Sequence, residues 1–253
     1  MSGRSLLSPR LVQLGFVVAF FGAWFIIGRS GAISPLFLPP IEAVWAALNT
    51  LVQTPQFRSA VQVTLTTIAQ AYLIAATLGI LAGYAITRSR FATKVLEPIV
   101  SSIFSIPITL LLPLFILLFG IGAASKVAYG AAYAFFPITL NTIAGLGGVE
   151  ERYLSAAKSM GFSRFGTFRH VLFPAAFPVI LTGMRIGFFI CFASVLGGET
   201  ISSVSGVGRN IALSAELMEP ARMFAWISVV IVTATLLNAI VSGLENRMRK
   251  AHP

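Results

Sequence analysis

Residues 59–87 read SAVQVTLTTIAQAYLIAATLGILAGYAIT, 29 consecutive positions without a Lys, Arg, Asp or Glu. A helix that crosses the hydrocarbon core of a bilayer needs about 20 predominantly apolar residues. At about 1.5 Å per residue this stretch is longer than that core, so it tilts or begins outside it. Its Gly79 and Gly83 form a small-xxx-small pair, a common pattern that lets two helices approach closely. Working outward, residues 11–28, 98–120, 127–148, 173–196 and 223–244 have the same character, and Arg185 is the one formal charge inside any of them. These stretches predict an all-α integral membrane protein, a single membrane domain over residues 1–253 with six transmembrane helices. Residues 36–51 are shorter and carry Pro39, Pro40, Glu42 and Trp45. They read as an interfacial helix after the first span, with Trp45 at headgroup level, or as a plain loop.

Composition points the same way. Hydrophobic residues make up 57% of the chain and charged residues 10%, and the mean hydropathy is +0.88. A soluble domain carries roughly a quarter charged residues, so this chain cannot coat a globular surface with charge. A disordered chain is excluded by the same figures. The single Cys191 rules out an intrachain disulfide and reads as a small buried apolar residue.

The cations set an orientation. With the N-terminus in the cytoplasm, 12 of the 18 Lys and Arg fall on that side, including Arg4, Arg10 and the Arg247, Arg249, Lys250 cluster. Five fall on the other: Arg29, Arg58, Lys126, Arg209 and Arg222. Both termini are therefore expected in the cytoplasm. The net charge of +10 then reports membrane topology and lipid contact, and no nucleic-acid partner is expected. The first span is expected to stay in place: its 18 apolar residues exceed a usual signal-peptide core, and Gly28-Arg29-Ser30 is a poor cleavage site.

Ile106-Pro107 and Leu112-Pro113 interrupt the third span. Proline inside a spanning helix is tolerated where neighbouring protein or a cavity satisfies the freed carbonyls. Pro107 and Pro113 thus mark either a helix lining a pathway or a kink packed on a neighbour. Several chemistries are missing. There is no G-x-x-x-x-G-K-[ST], no H-E-x-x-H, no G-x-S-x-G and no Asp at all. His170 and His252 lie in or near cytoplasmic stretches, away from any spanning metal site. No catalytic residue, metal site or cofactor of its own is expected for this chain.

The stretch between the fourth and fifth spans, residues 150–172, is the most specific. It reads EERYLSAAKSMGFSRFGTFRHVL and is followed by Phe173-Pro174. It predicts a short helix, a break at Gly161, an N-cap at Ser163 and a second short helix ending at Pro174. Leu154, Ala157 and Met160 share one face, and Ala156 and Ala157 leave room for another backbone to approach. Such a helical loop suits docking to a cytoplasmic partner.

This loop resembles the EAA loop of permease subunits in ATP-binding-cassette importers: E-A-A, three residues, Gly, nine residues, then I-x-L-P. Here the pattern is Ser155-Ala156-Ala157, then Gly161, then Val171-Leu172-Phe173-Pro174. Ser155 stands for the Glu, Val171 for the Ile and Phe173 for the Leu. Loss of the Glu removes whatever ionic contact that residue makes with the ATPase and leaves the helix-break-helix pattern undisturbed. Ser105-Ile106-Pro107, Leu112-Pro113-Leu114, Phe119 to Gly122, Phe135 to Ile138, Asn141-Thr142, Gly183-Met184-Arg185, Glu199 and Gly206-Val207-Gly208 are similar to the nitrate/sulfonate/taurine branch of these permeases. The resemblance covers roughly residues 60 to 245.

The resemblance implies a bacterial inner-membrane permease subunit that works as a dimer, with a homodimer the simplest pairing. It implies a cytoplasmic ATPase dimer that docks on the loop and binds ATP and Mg, and an extracytoplasmic binding protein that delivers a small, anionic solute of the sulfonate, taurine, nitrate, bicarbonate, aromatic-acid or vitamin-precursor class. Ser155, Ala156, Ala157, Gly161, Phe162 and Pro174 are then the ATPase-coupling positions. Ser105, Pro107, Pro113, Thr139, Asn141, Arg185 and Glu199 are the pathway candidates. For Ser105, Thr139 and Asn141 the plainer reading is helix–helix hydrogen bonding. Arg185 either attracts an anionic solute or reaches for headgroups or a neighbouring helix, and the second is the plainer. Glu199 reads as an interfacial acid with a gating or structural role, and Gly206 to Gly208 as a flexible outer turn. A stand-alone channel or membrane scaffold is the alternative from another class.

Overall fold

The computed structural model describes residues 9–251; Arg4 and His252 lie outside the described residues, as do the side chains of Arg10, Arg247, Arg249 and Lys250. Among the described residues the chain is helical, without strands. The helices are α1 (Pro9–Ser30), α2 (Ile41–Val52), α3 (Pro55–Thr87), α4 (Arg90–Phe104), α5 (Leu112–Phe119), α6 (Ala123–Gly147), α7 (Glu151–Ser159), α8 (Arg164–Thr167), α9 (Phe173–Ile201), α10 (Val207–Glu216) and α11 (Pro220–Ala251). Among the described residues five helical runs are long and apolar enough to cross a membrane, and α4 with α5 makes a sixth if that bent pair is one span.

The bent pair corrects the expectation of one twice-kinked span over 98–120. Between α4 and α5 the chain turns by 75°. Pro98 lies inside α4, and the break falls before Pro107, because the residue preceding a proline is pushed out of the helical region. Ser105 caps the C-terminus of α4, and Pro107 follows in an extended conformation (φ −61, ψ 98) before a single turn of 3-10 helix over Ile108–Leu111. Pro113 breaks nothing. It sits in the first turn of α5, where its missing N–H would have had no helical partner.

A second correction concerns Pro174. The short helix expected to end there continues, and Arg164–Ile201 is one helical run of 38 residues. Pro174 lies in the first turn of α9, preceded by a π-helical turn over Phe168–Leu172. Pro174 has no N–H for the carbonyl of His170, and its ring crowds that carbonyl. The chain widens by one residue and goes on: Phe173 N–H donates to the carbonyl of Phe168.

The chain packs as two compact units. One comprises residues 9–58 and 210–231 among those described. Here the Trp24 indole donates to the Pro39 carbonyl at 3.0 Å, and Arg29 pairs with Glu42 at 2.8 Å. These contacts hold α1 against α2, which begins after Pro40. Gln56 donates to Asn210 at 2.7 Å and accepts from Arg222 at 3.0 Å, while Phe57 stacks on Trp226.

The other unit, residues 59–209 and 232–251 among those described, is centred on α6. Ile138 of α6 is fully buried and faces a glycine on each side. A Cβ at Gly79 of α3 would lie 2.9 Å from Ile138 Cγ2, and one at Gly187 of α9 would lie 2.6 Å from Ile138 Cγ1. Both are closer than carbon atoms can pack, so this backbone separation requires glycine at both positions. The Gly79/Gly83 pair thus packs α3 on α6. Toward the far end, Leu112 and Tyr129 pack with Phe115 and Phe136. Toward the α7 end, Leu146, Ala176 and Ile180 pack with Ile80 and Phe168.

Gly187→Val should lower stability by about 1–3 kcal/mol, the usual cost of overpacking a core. The double variant Gly187→Val/Ile138→Ala should lose less than the two single losses combined. Thermal unfolding of the purified protein in one detergent reads both, and strict additivity would refute this account of the α6–α9 contact.

Candidate functional site

The long run from Arg164 to Ile201 joins two groups of candidate residues, one at each of its ends.

At the first end, α7 stops in a Schellman turn. Phe162 N–H donates to the Ala157 carbonyl at 3.1 Å, and Gly161 N–H to the Lys158 carbonyl at 3.0 Å. Gly161 takes φ +79, the left-handed conformation this turn needs, and a Cβ there would meet nothing within 4 Å. Backbone geometry, and not space, requires glycine. Ser163 then caps the next helix, its Oγ accepting from Gly166 N–H at 3.1 Å. Phe162 packs on His170 with ring centroids 5.8 Å apart, which fixes α7 against the start of the long run.

The shared face expected of Leu154, Ala157 and Met160 is only partly formed. Ala157 is 1% exposed, whereas Met160, which caps the helix, is 70% exposed. Ala157 is therefore used for packing within the chain. Of Ser155, Ala156 and Ala157, the first two are exposed. Pro174 sits at the start of α9 and shapes the π turn.

At the second end, Glu199 is 2% exposed, not an interfacial acid. Thr64 Oγ1 of α3 lies 2.9 Å from both of its carboxylate oxygens and donates to them. The same hydroxyl accepts from Val207 N–H at 2.8 Å, and Gly208 N–H donates to Glu199 Oε2 at 2.9 Å. Val207 and Gly208 open α10, so the carboxylate and hydroxyl satisfy two of the amides that any helix leaves unpaired at its start. A negative charge at that position is also favoured by the helix dipole. Gly206 adopts φ +107, and a Cβ there would collide with the Glu199 carboxyl group. The stretch expected to be a flexible turn is thus a pinned junction of α3, α9 and α10.

Lys126 completes this end. Sequence reasoning counted it among loop charges. It is 1% exposed in the first turn of α6. Its Nζ donates to the Ile121 carbonyl at 2.7 Å and to Ser125 Oγ at 3.2 Å, and its stem packs against Gly198. Gly198 directly precedes Glu199 in α9, so the Lys126 stem packs beside the residue that carries the carboxylate. Neither Lys126 nor Thr64 was singled out from sequence. Thr64 is one of three threonines in four positions, and Lys126 borders an uncharged stretch just as a loop cation would.

The remaining pathway candidates do not gather into one cluster. Ser105, Thr139 and Asn141 do not make the helix–helix hydrogen bonds expected of them. Each donates to the carbonyl four residues back: Ser101 at 3.0 Å, Phe135 at 2.8 Å and Pro137 at 2.8 Å. In apolar surroundings the nearest acceptor is the helix's own carbonyl. Arg185, half-buried in mid-helix, donates to Asn238 of α11 at 3.1 Å. Pro107 and Pro113 are exposed at the α4–α5 break.

Thr64→Val should cost about 1–3 kcal/mol, because it leaves the Val207 amide unsatisfied and removes a donor from Glu199. Combined with Glu199→Ala, the losses should fall short of additive by about 0.5–3 kcal/mol. A double-mutant cycle on unfolding midpoints checks this, and zero coupling would refute the junction.

Residues 75–250 match the family model described as binding-protein-dependent transport system inner membrane component. The chain is 30% identical over 246 residues to the taurine transport system permease protein TauC of Escherichia coli (strain K12), covering 95% of this chain and 90% of the relative. It is 29% identical over 227 residues to the putative aliphatic sulfonates transport permease protein SsuC of Bacillus subtilis (strain 168), covering 90% and 82%. A chain from the inward-facing MetNI methionine ABC transporter shares the fold with a TM-score of 0.56 at 17% identity, covering 88% of this chain and 99% of that one. The protein is therefore a member of the binding-protein-dependent transport system inner membrane components, a membrane-embedded permease of the ATP-binding-cassette type.

Proposed function

We propose that this chain forms the translocation pathway of an importer for a small organic sulfonate. A second copy of the chain, a separate cytoplasmic ATPase dimer that binds ATP and Mg, and an extracytoplasmic binding protein complete the assembly. Both termini lie in the cytoplasm of a bacterium, by the distribution of Lys and Arg across the spans. The names of the taurine and aliphatic-sulfonate relatives support the solute class.

The observation that supports this reading most is the rigid α7–Gly161–α8 hairpin on a helical run of 38 residues. At 1.5 Å per residue that run is about 57 Å long. Ser155 and Ala156 present a small-residue surface on which an ATPase can seat α7. The Schellman turn, the Ser163 cap and the Phe162–His170 contact make the hairpin move as a piece. A shift of α7 is then passed along α9, which packs on α6, to the Glu199–Thr64 junction at the other end. ATP binding and hydrolysis on the partner bias two arrangements of these spans. This chain supplies the lever and the path and performs no chemistry.

Ala156→Glu should weaken ATPase association about tenfold or more, as for a residue central to an interface, while leaving the unfolding midpoint of the isolated permease unchanged. Ala157→Glu should lower both. Co-purification with the ATPase and thermal unfolding separate the two variants. Taurine and alkanesulfonate uptake into proteoliposomes holding the full assembly tests the solute class. Uptake of neither, by an assembly whose ATPase is active, would refute it.

A further inference from the structure

A cavity of about 340 Å³ lies between the end of α3, α7 and the start of the long helical run. Its lining carries three cations, Arg88 just past α3, Lys158 of α7 and Arg164 of α8, beside the rings of Tyr84 and Phe168 and the side chain of Leu172. The Tyr84 and Phe168 rings meet edge to face at 5.4 Å. Nearby cations are already neutralised: Arg90 pairs with Glu151 at 3.1 Å and Arg152 with Glu150 at 2.6 Å. Those two carboxylates are spent, and among the described residues no ion pair reaches Arg88, Lys158 or Arg164.

We infer that this cavity binds the phosphate of an anionic phospholipid. Arg88 directly follows Thr87, the last residue of a helix apolar enough to cross the membrane, which sets this cation at headgroup level. Three cations facing one space repel one another until an anion joins them, and each adds favourable energy toward an anionic headgroup. The apolar part of the lining suits the glycerol and first acyl carbons of a lipid, and free phosphate has no use for it. A bound headgroup ties the end of α3 to α7 and α8, clamping the hairpin that the proposed ATPase would move. The site itself does not rest on the ATPase reading.

The test uses the full chain, without partners, in nanodiscs of phosphatidylcholine with or without phosphatidylglycerol. Native mass spectrometry counts retained phosphatidylglycerol, and thermal unfolding gives a second readout. Wild type should retain the anionic lipid and unfold later with it. Arg88→Gln and Lys158→Gln should each weaken retention about fivefold, and Arg88→Gln/Arg164→Gln more, whereas Arg169→Gln, outside the cavity, should not. The exposed Lys158→Gln keeps the test available if the double variant folds poorly. Equal retention across these variants overturns the proposal. So does stabilisation by inorganic phosphate in neutral nanodiscs with the same variant dependence, which would make the ligand a free anion. In a parallel co-purification of the same variants with the ATPase, unchanged lipid retention with lost ATPase association would also overturn it, assigning the cations to that partner.

Discussion

Ile138 sits between two glycines, and the packing of α3, α6 and α9 follows from that. In lipid, apolar side chains gain little by leaving their solvent, because the solvent is itself apolar. Association therefore rests on close fit, and a branched side chain seated between Gly79 and Gly187 supplies it from α6 to both neighbours. A methyl group added on either side would force the helices apart. The apolar surface left over, including most of α1, faces outward without penalty because lipid is its solvent.

With α6 fixed, α9 acquires its role. One helical run passes through a π turn at Phe168–Leu172, packs along α6 and carries Glu199 in its last turn. Its two ends are built differently. The α7 end is held by backbone devices, a Schellman turn and a serine cap, that need no tertiary partner. The Glu199 end is held by a buried carboxylate, a hydroxyl and two helix amides drawn from three elements. Local devices survive a rigid movement of the hairpin, while a junction among three elements registers any change in their spacing. That contrast is what a lever with a sensitive far end requires.

Much of the loop was legible because its determinants are local. Gly161 and Ser163 act through their own backbone and their immediate neighbours, so residue type and spacing suffice to read them. The Glu199 junction was half legible. The acid and the glycines around Gly206 stand out in the chain, but their partner Thr64 is 135 positions away, and one threonine among several carries no local mark. Lys126 misled for a related reason: a cation at the edge of an apolar run looks the same whether it faces water or bends back to a carbonyl.

The sequence by itself determined that the chain lives in a membrane, which stretches are apolar enough to cross it, and where a helical loop must break. Those properties follow from hydropathy, charge and backbone preference, each set within a few residues. Only the tertiary structure decided that the third span is broken at Pro107 and not at Pro113, that Pro174 sits inside a continuous helix, and that Ala157 is spent on internal packing. It also decided that Glu199 is capped by Thr64 and that Arg185 bonds to Asn238. These depend on which groups meet across helices, because whether a proline breaks or joins, and whether a polar group is satisfied, is settled by the partner found in space.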